Sequence, residues 1–121
     1  MTEIEFRLPK DKPELEAAVA EFIQSELQQT AQFTPAPPPD GEHKGPVDVI
    51  WQLVVIVATI EGSLQFAERV KRMERVKKLL AAIQASGTPV YLKIRGKIVD
   101  LSKQSVDKIM NLLAEKKDED E

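Results

Sequence analysis

The apolar positions near the start of the chain alternate with charged ones. Ile4, Phe6 and Leu8 are separated by single charged residues, and Pro9 follows them. A period of two residues is typical of a strand with one buried face, and proline disfavours its continuation. We therefore predict a short first strand over residues 4–8.

A second alternation, over residues 90–101, predicts a β-hairpin. A two-residue turn at Arg95-Gly96 would pair the flanking segments and place Tyr91 opposite Asp100. In that register five apolar side chains share one face: Val90, Leu92, Ile94, Val99 and Leu101. Because a shift of one residue would destroy this match, the register is well defined.

Apolar residues at spacings of three and four predict helices in three further stretches. The first stripe spans residues 15–27, in a helix that ends near Gln29. The second continues over residues 64–83 to a stop at Gly87, where glycine can adopt the left-handed conformation. The third spans residues 106–113, and Ser102 is its predicted N-cap.

Residues 47–60 form the most apolar segment, interrupted only by Asp48 and Gln52. Their β-branched content suits a buried strand. However, no turn precedes Gly62, and a helical pattern follows it. We therefore favour a helix that is apolar over 47–60 and basic beyond, with the strand as the alternative.

An apolar helix of this kind would need a partner. A helix that is hydrophobic almost all round offers more apolar surface than a small domain can cover, which predicts contact with an effector or a second copy. A membrane anchor is the alternative, although fourteen residues rise only about 21 Å against a hydrocarbon core of about 30 Å.

Together these elements predict an α+β fold, in which a small antiparallel sheet packs with three helices. The sheet would hold the N-terminal strand and the C-terminal hairpin. A proline-rich segment between them is expected neither to continue a helix nor to pair in a sheet. The predicted units are 1–29 (strand and amphipathic helix), 30–45 (proline-rich linker), 46–117 (long helix, hairpin and last helix) and 118–121 (acidic tail).

Composition narrows the function. The net charge of −3 over 121 residues argues against a dedicated nucleic-acid binder. The chain has no cysteine and a single histidine, His43, so it offers no set of residues for a zinc site or a Ser-His pair. Its scattered glycines form no phosphate-binding pattern. We therefore predict a protein without enzymatic activity or cofactor. Because no targeting segment is visible at the start, we predict a cytoplasmic location, with membrane association as the alternative.

Basic residues gather on the second half of the long helix. Glu68 and Glu74 precede Arg72 and Lys78 by four residues, so local ion pairs on a solvated face are expected. A surface for an acidic protein partner, anionic lipid or nucleic acid is the alternative.

The candidate partner-binding residues are therefore of two kinds. Aromatic and aliphatic side chains would anchor a protein contact, and basic ones would meet acidic groups. These residues are Trp51, Leu53, Ile56, Lys71, Arg75, Lys78 and Tyr91.

The order of elements from Gly45 onward is distinctive. Gly45-Pro46 precedes an apolar helix that turns basic, followed by the hairpin over 90–101 and a capped helix with Ile109, Leu112 and Leu113. With the leading strand, this order resembles the effector-associated constant component family, small accessory proteins found beside peptidase, caspase-like or other effectors in bacterial conflict systems. The resemblance covers about two thirds of the chain. It implies a non-enzymatic adaptor that keeps or presents an effector, with no catalytic residues to carry over.

Overall fold

The computed structural model describes residues 2–36, 50–60 and 64–114. They form an α+β fold of five strands and three α-helices, which confirms the predicted class with a larger sheet. In chain order the elements are β1 (Thr2–Pro9), α1 (Pro13–Leu27), β2 (Thr34–Ala36), β3 (Trp51–Ala58), α2 (Phe66–Ser86), β4 (Tyr91–Ile94), β5 (Lys97–Asp100), a 3₁₀ turn (Leu101–Lys103) and α3 (Val106–Ala114).

The strands form one antiparallel sheet in the order β2-β3-β1-β4-β5. The predicted first strand, β1, is its centre, because Phe6 pairs with Val54 of β3 on one side and with Leu92 of β4 on the other. All three side chains are buried. The middle of the sheet is therefore built from segments that lie far apart in the chain.

The helices pack on one face of this sheet. The ring of Phe22 in α1 meets that of Phe6 edge to face, with centroids 6.2 Å apart. The buried helix residues, which join the inward strand residues in one core, are Leu15, Val19, Phe22, Ile23 and Leu27 of α1, Val76, Leu79, Leu80 and Ile83 of α2, and Ile109 and Leu113 of α3. The predicted stripe of α1 is thus confirmed.

The predicted hairpin is confirmed in its register. Tyr91 pairs with Asp100, and φ is positive at both turn residues, 51° at Arg95 and 80° at Gly96. Two residues with positive φ match the twist of a hairpin. Beyond the ladder, the Leu101 amide donates to the Val90 carbonyl at 2.8 Å. The hairpin therefore keeps the expected apolar face inward.

The apolar segment is a strand, so the prediction of a helix over 47–60 is wrong for the residues described. Gln52, Val54, Ile56 and Ala58 are buried, and the residues between them point to the other face. Gln52 is 5% exposed, and its Nε2 donates to Glu16 Oε2 at 2.5 Å. β-Branched residues suit such a strand. The basic helix α2 begins afterwards, at Phe66.

The membrane-anchor alternative depended on the same helix. No described helix is both long enough and apolar enough to cross a membrane. The segment expected to serve as the anchor is β3, which pairs on both sides within the sheet.

Two smaller predictions also need correction. Residues 34–36 of the proline-rich segment do pair in the sheet, as the edge strand β2, where proline is tolerated. The cap of α3 is Ser105, whose Oγ accepts from the Lys108 amide at 3.2 Å, whereas Ser102 lies in the 3₁₀ turn. The rest of the linker, with His43, and the acidic tail lie outside the described residues.

Candidate functional site

No described helix covers the face of the sheet that lies opposite α1, α2 and α3. We call this the open face. Its outward positions are Thr34 and Ala36 on β2, Trp51, Leu53, Val55 and Val57 on β3, Glu3, Glu5 and Arg7 on β1, Tyr91 and Lys93 on β4, and Ile98 and Asp100 on β5. Large apolar side chains are exposed on it, by 60% at Ile98.

Every outward position of β3 is apolar. Trp51 and Leu53 are half-buried, whereas Val55 and Val57 are 42% and 51% exposed. We call these four residues the apolar row. An antiparallel sheet with one solvated face normally alternates apolar residues inside with polar ones outside. A contiguous row of exposed apolar residues is instead typical of an interaction surface.

An aromatic pair stands at one end of the apolar row. The rings of Trp51 and Tyr91 lie 6.0 Å apart at an interplanar angle of 50°. Their strands, β3 and β4, lie on either side of β1. Pro9 of β1, which is the register partner of Trp51, is buried. The two rings therefore meet across the central strand. Fixed aromatic side chains of this type are favoured anchors of protein interfaces.

Charged residues of alternating sign lie beside the apolar row on β1. Arg7 Nη2 donates to Glu5 Oε2 at 2.7 Å, and the two side chains are 20% and 18% exposed. On β4, Lys93 is the register partner of Glu5. The open face thus combines an apolar row with an ordered, largely covered ion pair.

Three basic residues of α2 bind α1 rather than their own helix. Arg72 Nε and Arg75 Nη1 donate to the two oxygens of Glu26, at 2.5 and 2.8 Å. The side chains of Arg72 and Glu26 are only 5% and 4% exposed. The expected partner of Arg72 was Glu68, and the expected solvated position of Arg72 is wrong, because this arginine belongs to a buried link between two helices.

The remaining basic candidates lie on the helical side of the molecule. Lys78 binds Glu21 of α1 at 2.8 Å, in a pair whose side chains are 72% and 57% exposed, rather than the expected Glu74. Lys71 is exposed on α2. The structure therefore separates Lys71, Arg75 and Lys78 from the aromatic candidates, and two of the three pair with carboxylates of α1.

The open face brings together three predicted partner-binding residues: Trp51, Leu53 and Tyr91. Ile56 lies in the core at 5% exposure, facing the helices, so a partner cannot reach it without unfolding the sheet. Val55, Val57 and Ile98 were missed. Reading residues 51–58 as a strand would have found the two valines, because every second residue then points outward.

The described residues hold no group of three or more histidines, aspartates or glutamates placed to bind a metal ion. Comparisons with known proteins give no match to a family model, a curated protein or a solved structure. The family resemblance stays a prediction.

Proposed function

We propose that this protein is a non-enzymatic accessory protein that binds a protein partner through its open face. The apolar row beside the Trp51–Tyr91 pair carries this proposal. A partner that covered the row would remove exposed apolar surface from water, which is the main favourable term in most protein association. The Glu5–Arg7 pair and Lys93 would supply the polar contacts of such an interface.

An effector of a bacterial conflict system is the partner that the family resemblance supports. In that role the protein would keep or present the effector and carry out no chemistry itself. The effector would need an apolar patch that matches the apolar row, flanked by charges that complement those of β1.

The test takes the purified product of a gene next to the one for this protein, of the peptidase or caspase-like kind that the resemblance implies, and measures its binding by calorimetry. Val55→Glu should weaken binding at least about tenfold, because it places a charge inside the covered row. Val55 points away from the core, so circular dichroism of this variant should match that of the wild type. Lys77→Glu, on an exposed position of α2, is the matched control and should bind like the wild type. Wild-type affinity in Val55→Glu would contradict the proposal.

A further inference from the structure

We infer that the open face also fits a second copy of this chain, in a symmetric dimer with the two sheets face to face. This inference rests on the proposed function, because it names an occupant for the same face. The order of charges on β1, combined with the register of its neighbours, identifies that occupant.

The symmetry axis of such a dimer would lie between the sheets, perpendicular to the strands. It would pass at the level of Phe6, Val54 and Leu92, which are paired side by side in the sheet. A two-fold rotation about this axis exchanges the residues just before and just after that level on each strand. On β1 these residues are Glu5 and Arg7.

The rotation therefore places Glu5 over Arg7 of the second copy, and Arg7 over Glu5. Because the two residues are already ion-paired at 2.7 Å within one chain, four charges of alternating sign would close into one network. Moving the axis by one residue would stack Glu5 on Glu5 or Arg7 on Arg7. Charge complementarity thus selects one arrangement.

The same axis matches the neighbouring strands. Leu53 and Val55 of β3 pair with Arg7 and Glu5, so Leu53 would face Val55 of the second copy. Trp51 and Val57 lie three positions on either side of the axis and would also face each other. These contacts place apolar side chains on apolar side chains over the full length of the row.

On β4, Tyr91 and Lys93 stand on either side of the same level. The ammonium group of Lys93 would meet the ring of Tyr91 in the second copy. A cation over an aromatic ring is a favourable contact. On β5, which is as long as β4, the same axis would place Ile98 opposite Asp100 of the second copy. The self-complementary rows of the open face are therefore those of β1, β3 and β4.

The size of the face sets the expected strength. Its strands cover roughly 400–500 Å² of flat area per copy, at about 3.3 Å per residue and 4.8 Å between strands. Two copies would together bury about 1,000 Å², near the lower limit for a specific interface. We therefore expect a weak dimer that dissociates on dilution.

Sedimentation equilibrium of the full chain, from about 1 µM to about 1 mM, tests this dimer. The wild type should change from monomer to dimer over that range. Glu5→Arg and Arg7→Glu should each shift the midpoint at least about tenfold toward higher concentration, because like charges would then face each other. An equimolar mixture of the two variants should restore association, because one variant carries two positive charges at positions 5 and 7 and the other carries two negative charges there.

Lys77→Glu is the control and should associate like the wild type. Val55→Glu leaves the residues of β1 unchanged and should be monomeric. It provides a second test of the dimer if a charge variant fails to fold. A wild type that stays monomeric, a dimer that survives Val55→Glu, or a mixture that associates no better than its components would overturn the inference. A monomeric wild type that still binds the effector through Val55 would overturn only the dimer and leave the proposed function in place.

Discussion

Glu26→Leu should destabilise the protein more than Arg72→Met does, although these two side chains bind each other. Removing Glu26 leaves Arg72 without its carboxylate at 5% exposure. Removing Arg72 leaves Glu26 still bound to Arg75 at 2.8 Å. The loss is therefore asymmetric, because only one of the two changes leaves a charge buried and unpaired.

The magnitudes follow from this geometry. Breaking a buried ion pair by removing one partner costs about 3–5 kcal/mol, which we expect for Glu26→Leu. Arg75, at 35% exposure, can turn toward water and adds little to that cost. Arg72→Met keeps an apolar stem in place and should cost about 1–2 kcal/mol. The double variant removes both buried charges and should lie within about 1–2 kcal/mol of the wild type.

Urea denaturation followed by circular dichroism gives the free energies of unfolding for this cycle. The double variant should be more stable than Glu26→Leu alone. Lys78→Gln is the control, because it breaks an exposed pair with Glu21 and should cost about 0–1 kcal/mol. Equal losses in the two single variants, or losses that simply add in the double variant, would refute the reasoning.

Three further predictions concern the hairpin. Leu92→Ala removes a side chain that is 2% exposed, so it should cost about 2–5 kcal/mol and lower the melting temperature by roughly 10 °C or more. Lys93→Ala, at an exposed position, should change the melting temperature little. An unchanged melting temperature for Leu92→Ala would contradict the place of Leu92 in the core. Arg95→Gln removes the guanidinium donor that binds the Leu112 carbonyl at 2.8 Å, so amide hydrogen exchange near the end of α3 should become faster. An unchanged exchange rate would show that this hydrogen bond does not hold the helix end. In Gly96→Ala the added methyl group has no neighbouring atom within 4 Å, but the alanine must adopt a φ of 80°. The free energy of unfolding in urea should therefore fall by about 1 kcal/mol. An unchanged free energy of unfolding would show that the turn adapts.

The first strand could be predicted because only one of its faces is apolar. In β1, Glu5 and Arg7 separate the buried residues, so the alternation is visible in the sequence. In β3, Leu53, Val55 and Val57 point outward and are apolar too, so the same alternation disappears. The residues on which the proposed interaction surface rests are thus the ones that concealed the strand.

The buried position of Arg72 could not be predicted for a different reason. Its partner Glu26 lies 46 residues earlier, on another helix, and no local pattern connects the two. The nearby glutamates at helical spacing suggested a solvated pair instead. Likewise, Trp51 and Tyr91 could be named as candidates, but only the pairing of both their strands with β1 brings the rings together.

The central position of β1 has a consequence for synthesis. Phe6 pairs with Val54 and Leu92, which follow it by 48 and 86 residues (54 − 6 and 92 − 6). Chains leave the ribosome from the N-terminal end, so the middle of the sheet is made before either neighbour and must wait for both. Contacts between such distant residues slow folding. While β4 is still being made, one edge of β1 has no partner, and this interval is when the nascent chain most needs a chaperone.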